Sequence, residues 1–324
     1  MDNLTAITKP VQSEMDAFNQ LFRETLQGHS SDFQSMIDYI SGTNGKRIRP
    51  LIMMLSAKIC GEINQKTIDY AIILELLHTA TLIHDDVVDE TKERRGQPSA
   101  NALYDNRAAV LLGDYILSLA IVKAVIAQNF RILEIMSCLA KNLAEGELSQ
   151  LISSKESIID EERYFEIIWK KTAVLLSSCS EMGALSVGAN ESEVKKMQKI
   201  GENLGICFQI KDDIFDYFEQ GEIGKPTGND IREGKITLPL IYALNTAPKE
   251  EADQMHTIID QQDFTAENIK VLLDFAKKYK GIEYAEKRMR EIKEKNITLL
   301  ADFPASEAKT ALIDLIDYII ERKK

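Results

Sequence analysis

LLHTATLIHDDVVDE, residues 76–90, has the pattern of an apolar α-helix that ends in an acidic box. Apolar residues recur at steps of three and four from Ile72 to Ile83, which predicts a helix buried on most of its sides. A second segment, FQIKDDIFDYF at 208–218, repeats the acidic pattern after another run with helical spacing. The strict alternation that predicts β-strands is not sustained along the chain. The predicted fold class is therefore all-α.

The two acidic boxes stack carboxylates along one side of a helix. Asp85 and Asp89 are four residues apart, as are Asp212 and Asp216, so each pair shares a helix face. Glycine and proline follow both boxes, which places them near helix C-termini, where the helix dipole disfavours negative charge. We therefore expect a cation to compensate. Carboxylates without histidine or cysteine in the repeated pattern suit Mg²⁺, which typically combines one or two carboxylates with waters and substrate phosphates.

Composition excludes several classes of function. The chain has 324 residues, 44% of them hydrophobic, and a net charge of −12, which argues against nucleic-acid binding because a phosphate backbone requires an excess of Lys and Arg. The N-terminus lacks a signal-peptide pattern and no uninterrupted apolar run approaches about 18 residues, so we expect neither export nor a membrane span. Four cysteines without CxxC spacing predict reduced, buried thiols and a cytoplasmic location. They are Cys60, Cys138, Cys179 and Cys207.

The distribution of prolines predicts one continuous helical domain over residues 1–324. No proline lies within 99–225, so long helices are expected there. The stretches 64–89 and 106–128 are apolar on most sides and are predicted to be central helices. No low-complexity linker separates the two boxes, and we expect them to share one site. A split into two domains would separate them.

Basic residues follow the boxes or precede them at a predicted helix start. GKRIRP at 45–50 places three cations where free backbone N–H groups already favour anions. Arg94 and Arg95 offer bidentate contacts to phosphate oxygens, and Lys225 and Lys235 each stand beside a glycine after the second box. Taken alone, each motif could be a solvated turn or a surface salt bridge. Their repetition beside the acidic boxes favours a phosphorylated substrate.

The chain resembles the all-trans polyprenyl diphosphate synthases in seven sequence boxes that occur in the family's order between about residue 40 and residue 245. These are GKRIRP, LLHTATLIHDDVVDE, RRGQPSA, GDYILS, KTA, FQIKDDIFDYF and GKPTGNDIREGKITLPL. One departure is Asn44-Gly45, where many members have paired glycines. The resemblance implies a single all-α domain, a bundle of about ten or more helices around a central cavity. It also implies a prenyltransferase that condenses isopentenyl diphosphate head-to-tail with an allylic diphosphate.

The resemblance further implies a role for each matched side chain. About three Mg²⁺ ions would be held by Asp85, Asp89 and Asp212. Partners that act through hydrogen bonds or water would be Asp86, Asp213 and Asp216. Isopentenyl diphosphate would be bound by Lys46, Arg49, His78 and Arg95. The allylic diphosphate would be bound by Arg94, Lys171, Lys225 and Lys235. Thr172 and Gln209 would present oxygen dipoles to the allylic cation in a pocket without water. With Lys171, which binds the allylic diphosphate, they would form the catalytic group.

Product length depends on the helix before the first box. If the diphosphate is anchored at Asp85 and Asp89, the growing chain runs toward the helix N-terminus, passing one turn, about 5.4 Å, for every four residues. Short-chain members resemble one another in having bulky aromatics four and five positions before the box, whereas Thr81 and Ala80 are small. The absence of bulky side chains at these two positions favours a long-chain product, which by resemblance is around C30 to C50 and octaprenyl-like. The residues that would line a channel, or else form ordinary core, include Leu77, Ala120 and Ile121.

Three alternatives remain open. A medium- or short-chain synthase that makes geranylgeranyl or farnesyl diphosphate would share the boxes. A subunit of a heteromeric synthase would have only a binding role, and a terpene cyclase would more often have an Asn/Ser/Glu pattern in the second box and no use for GKRIRP. The resemblance also implies a homodimer, to which the apolar 106–128 segment could contribute. A long polyprenyl product is nearly insoluble in water, so we expect at most transient membrane contact.

Overall fold

The fold is almost wholly helical, as the sequence predicts. The protein is represented by a computed structural model, which describes residues 3–27, 33–42, 45–94, 96–157, 159–218 and 227–322. The first half of the chain contains α1 Asn3–Thr8, α2 Gln12–Thr25, α3 Gln34–Gly42, α4 Ile48–Cys60, α5 Gln65–Val88, α6 Ala100–Tyr104, α7 Asn106–Ile126 and α8 Phe130–Lys155. The second half contains α9 Glu161–Ile168, α10 Val174–Ser186, α11 Glu191–Phe215, α12 Asn229–Arg232, α13 Leu238–Thr246, α14 Lys249–Asp260, α15 Ala266–Lys278, α16 Gly281–Ala301 and α17 Glu307–Glu321.

Short stretches of other secondary structure separate some of the α-helices. A 3₁₀ turn, Lys9–Val11, joins α1 to α2, and a π-helical turn, Trp169–Ala173, joins α9 to α10. Glu93–Arg94 and Gln97–Pro98 form an antiparallel pair, β1 and β2, in which Arg94 lies opposite Gln97. This small hairpin follows the first acidic box and carries the predicted phosphate-binding arginine.

The contacts between residues divide the chain into two compact units. Unit 1 comprises residues 1–140, 178–198 and 303–312, and its core includes Leu51, Ile72 and Leu76. Unit 2 comprises residues 141–177, 199–302 and 313–324, and its core includes Ile210, Leu240 and Leu272. The first acidic box belongs to unit 1 and the second to unit 2. That the whole chain acts as one domain stays a prediction.

Helix α5 is the buried helix that the opening stretch predicts. Its N-terminus is capped by Asn64, whose side chain accepts a hydrogen bond from the backbone N–H of Lys66 at 2.9 Å, while Thr67 Oγ1 accepts one from the backbone of Asn64. Ile72, Ile73 and their apolar neighbours up to Ile83 are buried. The helix ends at Val88, so the first box lies at a helix C-terminus, as predicted.

Helix α7 differs from its prediction as a central helix. One side packs on α5, but Leu111 is 68% exposed and Phe130, just beyond the helix, is 83% exposed. Of the helices in the described ranges, one, α7, is long and apolar enough to cross a membrane. Its most apolar 18 residues have a mean hydropathy of 2.0, and 33% of that stretch is buried. A core helix of a globular protein has the same length and composition, so this is weak evidence. The sequence pattern missed the difference because periodicity shows that a face is apolar, not what covers it.

The cysteines are free, and their burial differs from one to the next. Cys179 and Cys207 are buried, and Cys60 is partly buried. Burial raises the pKa of each of these three thiols to about 12, which keeps them protonated. Cys138 is exposed, so the expectation that every cysteine would be buried is wrong. Its position in an apolar helical run predicted burial, but α8 turns that side to solvent.

Candidate active site

In unit 1, the first acidic box directs one carboxylate inward and one outward. Asp86 is buried and accepts hydrogen bonds from Arg94 Nε at 2.8 and 3.0 Å, and Arg94 Nη2 lies 2.6 Å from Asp86 Oδ1. The hairpin thereby holds Arg94 against α5. Asp89 caps α5 and is exposed. In the described part of the chain its carboxylate takes part in no ion pair, which leaves it accessible to a cation from solvent.

Glu75, in the middle of α5, anchors two of the three cations of GKRIRP. Its carboxylate is buried and lies 2.7 Å from Arg47 Nη1 and 3.0 Å from Arg49 Nε. Burial alone would raise the pKa of Glu75, but the charges of Arg49, His78 and Arg47 outweigh it and lower the pKa to about 2. The side chain is therefore ionised and fixes both guanidinium groups at the start of α4.

A cavity in unit 1 brings together several of the predicted isopentenyl diphosphate ligands. Arg49, His78 and Arg94 line it, together with Arg47, Glu75 and Asp86. Three guanidinium groups face two carboxylates among these residues, so the cavity carries an excess of positive charge and suits an anion. Lys46 is exposed and lies outside the lining. Arg95, also predicted to bind here, lies outside the described residues.

In unit 2, the π-helical turn positions the predicted catalytic group. Lys171 and Thr172 belong to the turn Trp169–Ala173, and such turns occur often at functional sites. Gly205 on α11 lets this turn approach closely, since a Cβ there would lie 2.4 Å from the Cα of Ala173. As a result Thr172 Oγ1 donates to Gln209 Oε1 at 2.6 Å. Lys171 Nζ lies 2.8 Å from Glu147 Oε2 on α8.

The hydrogen bonds of Gln209 continue into the second box. Gln209 Nε2 donates to Asp213 Oδ1 at 2.8 Å, and the hydroxyl of Tyr164 donates to Asp213 Oδ2 at 2.6 Å. Burial, with the nearby Asp213 charge, raises the pKa of Tyr164 well above its ordinary value, so the phenol keeps its proton. Thr172, Gln209, Asp213 and Tyr164 thus form one continuous chain of hydrogen bonds.

The other carboxylates of the second box have different partners. Asp216 accepts from the backbone N–H groups of Asn229 and Asp230, each at 3.0 Å, and so fixes the start of α12. Asp212 Oδ1 accepts from Arg322 Nη2 at 2.6 Å. The distinction that the sequence predicts, with Asp212 as a direct metal ligand and Asp216 as a supporting residue, stays a prediction.

The acidic groups around the second box repel one another. Burial raises the pKa of Asp213 to about 6, although the hydrogen bonds from Tyr164 and Gln209 act in the opposite direction. Burial also raises the pKa of Asp216, and burial together with Asp213 and Asp216 raises that of Asp230. A bound cation would relieve this repulsion.

A cavity in unit 2 is lined by some of the remaining predicted residues. Lys171, Gln209, Asp213 and Lys235 line it, with Tyr164 and Asp230. Lys235 Nζ also lies 2.5 Å from Glu233 Oε2. Asp212 and Asp216 are outside the lining. Lys225, the fourth predicted ligand of the allylic diphosphate, lies outside the described residues.

The donor set fits Mg²⁺ that is shared with a substrate. Among the described residues, no group of three His, Cys, Asp or Glu side chains is arranged to hold a metal by itself. Asp85 and Asp89 stand one turn apart at the end of α5, and Asp212 stands near the end of α11. Mg²⁺ typically takes one or two carboxylates and completes its shell with water and phosphate oxygens. The residues present therefore fit the ion if a diphosphate supplies the remaining ligands.

The predicted chain-length residues lie on α5 as expected, with one error in the channel. Ala80 and Leu77 are fully buried, and so is Ala120 on α7. Thr81 is partly buried and its hydroxyl donates to the carbonyl of His78 at 3.0 Å. Ile121 is 46% exposed, so the expectation that it lines the channel is wrong. It belongs to the outward apolar face of α7, which the sequence pattern did not separate from the inward one.

Sequence reasoning missed three residues of these sites. Glu75 was detectable, because it is one acid among six apolar neighbours on a helix predicted to be buried. Tyr164 carried no comparable signal, since aromatic residues on an amphipathic helix are common in cores. Arg322 lies more than a hundred residues from its partner, outside every motif, and had no signal at all.

The chain is similar to known proteins over most of its length. The sequence model of the polyprenyl synthetase family matches residues 30–275. Octaprenyl diphosphate synthase of Escherichia coli is 34% identical over 323 residues, 99% of this chain and 100% of that protein. A geranylgeranyl pyrophosphate synthase of Bacteroides thetaiotaomicron is 40% identical, with a TM-score of 0.86 and 99% and 100% of the chains covered. A polyprenyl synthase of Caulobacter crescentus, complexed with calcium and isoprenyl diphosphate, is 31% identical, with a TM-score of 0.90 and 99% and 98% covered.

Proposed function

Because the chain belongs to the polyprenyl synthetase family, we propose that it is a Mg²⁺-dependent all-trans polyprenyl diphosphate synthase with a long, octaprenyl-like product. It joins isopentenyl diphosphate head-to-tail to an allylic diphosphate, releases pyrophosphate and lengthens the chain by one five-carbon unit per cycle. The observation that carries the proposal is the presence of an acidic box at the C-terminal end of both α5 and α11, in a chain that matches octaprenyl diphosphate synthase over its full length.

The cavity of unit 1 supplies the binding site for isopentenyl diphosphate. Arg49 and His78 line this cavity and bind the diphosphate. Lys46 and Arg95 are the other two proposed ligands. Glu75 keeps Arg49 extended toward the cavity in the absence of substrate. A guanidinium group that is already oriented loses little conformational freedom on binding, which favours affinity.

The acidic boxes hold the metal. Asp85 and Asp89 of the first box and Asp212 of the second would hold Mg²⁺, about three ions in all, which would supply positive charge to the diphosphate leaving group. Asp86 keeps Arg94 in place, Asp213 orders Gln209, and Asp216 anchors the start of α12. A calcium complex of the Caulobacter crescentus relative supports the use of a divalent ion.

Residues of unit 2 hold the allylic diphosphate and protect its cation. Lys171, Lys225 and Lys235 bind the phosphate oxygens, and the family resemblance also assigns Arg94 to this substrate. Thr172 and Gln209 present oxygen dipoles to the allylic cation, and their mutual hydrogen bond fixes the direction of those dipoles. The proton lost at the end of each cycle goes to pyrophosphate, so the chain needs no separate general base.

Product length is the finer part of the proposal. Ala80 and Thr81 are small where short-chain members of the family have bulky aromatic residues, which favours a long chain and agrees with similarity to octaprenyl diphosphate synthase. The geranylgeranyl pyrophosphate synthase of Bacteroides thetaiotaomicron, 40% identical, favours a C20 product as the second candidate.

One incubation tests the reaction class. The purified protein is given farnesyl diphosphate, labelled isopentenyl diphosphate and Mg²⁺. Label in an extractable linear polyprenyl product supports the proposal. A cyclic hydrocarbon would indicate a terpene cyclase, and turnover only after addition of a second subunit would indicate a heteromeric synthase.

We also propose that the protein is a cytoplasmic homodimer. The apolar residues exposed on α7 and after it form a continuous surface that a second copy would cover: Leu111, Val122, Val125, Ile126 and Phe130. Light scattering of the purified protein should give the mass of a dimer, and Leu111→Glu should lower it. The free thiols fit a reducing compartment. Release of the product needs at most transient membrane contact, and cell fractionation should find the protein in the cytoplasmic fraction.

A further inference from the structure

Arg322, just after the last helix, lies on the carboxylate proposed to bind metal. Its Nη2 donates to Asp212 Oδ1 at 2.6 Å and to the backbone carbonyl of Phe208 at 3.0 Å. The guanidinium carbon stands 4.1 Å from the ring centre of Phe208 and 5.4 Å from that of Phe215. The arginine is thus held by the last two turns of α11, the helix that carries the second acidic box.

This arrangement is more enclosed than an ordinary surface ion pair. The side chain of Arg322 is 10% exposed, against 41% for that of Asp212. Its Nε is buried and has no hydrogen-bond partner. A buried guanidinium that leaves one donor unsatisfied is held by its other contacts, here the carboxylate, the carbonyl and the two rings. The arginine supplies the positive charge that Asp212 needs at the C-terminal end of a helix.

We propose that Arg322 is a built-in counterion that occupies Asp212 until a divalent metal replaces it. The inference rests on the proposed function, in which Asp212 is a metal ligand. Arg322 occupies Oδ1 of Asp212, so a metal ion that binds this oxygen displaces the guanidinium group. The two effects are reciprocal. The ion pair between Arg322 and Asp212 weakens metal binding at Asp212, and metal binding weakens the attachment of Arg322 to α11.

The competition makes metal binding at Asp212 depend on the end of α17. The helix Glu307–Glu321 ends one residue before Arg322, and the backbone N–H of Arg322 donates to the carbonyl of Tyr318 at 3.0 Å. Release of the side chain therefore removes an anchor from the last helical turn. Until metal arrives the second box carries a neutralised Asp212, which limits the repulsion among its carboxylates.

Mn²⁺ binding to the full-length protein tests the proposal. The free ion is measured by electron paramagnetic resonance at a fixed concentration of inorganic pyrophosphate, with a protein-free blank. Arg322→Met should tighten the weakest Mn²⁺ site roughly tenfold, the factor expected if the arginine leaves Asp212 available about a tenth of the time. Asp212→Asn should remove one site. Arg288→Met is the matched control, since Arg288 also stacks on a phenyl ring, that of Phe165, and pairs with a glutamate, Glu291, away from the box. It should leave Mn²⁺ binding unchanged.

Two results would overturn the inference in distinguishable ways. If Asp212→Asn removes a site but Arg322→Met binds Mn²⁺ as the wild type does, the competition is absent and the proposed function stands. If Asp212→Asn leaves every site unchanged, Asp212 is not a metal ligand and both fail. Amide hydrogen exchange of the wild type gives a readout without mutation. Added Mn²⁺ with pyrophosphate should speed exchange in residues 318–322, and unchanged or slower exchange there would contradict release.

Discussion

Glu75 and Arg49 form a buried ion pair, with Arg49 Nε 3.0 Å from Glu75 Oε2, that joins the middle of α5 to the first turn of α4. Arg47, whose guanidinium also stands 4.8 Å from the ring centre of Phe22, binds the other carboxylate oxygen of Glu75. The pair connects the helix that carries the first acidic box to the cations of GKRIRP. The shape of the predicted isopentenyl diphosphate site thus depends on a carboxylate that never needs to touch substrate.

Glu75→Gln should destabilise the protein and remove part of its acid sensitivity. Because the folded-state pKa of Glu75 lies near 2, below its ordinary value of 4.5, its charge stabilises the fold fully above pH 4.5, and this contribution is lost as the pH falls toward 2. The shift corresponds to about 3 kcal/mol at neutral pH. Chemical unfolding at several pH values should show the difference between wild type and variant shrinking below pH 4.5.

Glu181→Gln is the control for that prediction. Glu181 is also buried and pairs with Arg131, but burial raises its pKa. A carboxyl pKa that is raised by folding has the opposite effect on stability from a lowered one. The wild type therefore loses stability as the pH rises through the folded-state pKa of Glu181, and Glu181→Gln should remove that loss. Equal pH dependence in the two variants would show that Glu75 is not held ionised by its arginines.

Asp212→Ala should abolish condensation at saturating Mg²⁺, as should Asp85→Ala, whereas Asp216→Ala should be milder. Asp216 spends both carboxylate oxygens on the backbone of α12, and loss of such a supporting contact typically costs about 10- to 100-fold in activity. Loss of a direct metal ligand should cost more activity than that. Steady-state incorporation of labelled isopentenyl diphosphate measures all three variants, and equal losses would refute the division of roles.

Tyr164→Phe should destabilise the protein by about 1–3 kcal/mol, because buried Asp213 loses a hydrogen-bond donor that nothing else replaces. Tyr284→Phe is matched to it. The Tyr284 hydroxyl donates to Glu161 Oε1 at 2.8 Å in a half-exposed position, and its ring stack on Tyr242 survives the change. Urea unfolding should give the smaller loss for Tyr284→Phe. A reversed order would mean that the bond to Asp213 contributes little.

Ala80→Tyr should shorten the product to roughly C15–C20 while leaving the protein folded. If Ala80 is ordinary core, the added ring instead overpacks the interior and costs about 1–3 kcal/mol, with no change in product length. Thin-layer chromatography of labelled products and a thermal unfolding curve separate the two outcomes. Ala80→Ser, which stays small, should give the wild-type products.

The helices and the positions of both boxes follow from the sequence because each depends on local pattern. Apolar residues at helical spacing from Ile72 to Ile83 predicted the buried α5, and the glycine and proline after each box predicted its end at a helix C-terminus. Such signals come from residues within one or two turns of each other, and no knowledge of the rest of the fold is needed.

The contacts that the sequence did not predict join distant residues. The outward face of α7, with Leu111 and Ile121, is as apolar as the inward one, so periodicity could not tell which face the chain covers. The π-helical turn at Lys171 and Thr172 depends on the close approach of Gly205, and helix propensity says nothing about it. The bond between Arg322 and Asp212 depends on where the last helix ends in space.

The series of products formed by the wild-type protein is the sharpest test of Mg²⁺-dependent synthesis of a long polyprenyl diphosphate. Farnesyl diphosphate, excess isopentenyl diphosphate and Mg²⁺ are incubated with the purified chain, and the polyprenyl diphosphates are weighed by mass spectrometry over time. We expect successive additions of five carbons to farnesyl diphosphate, up to a product near C40. No additions should occur when the metal is chelated. A series that stops at C20 would contradict the long product, and absence of any addition with Mg²⁺ present would contradict the chain-elongating function itself.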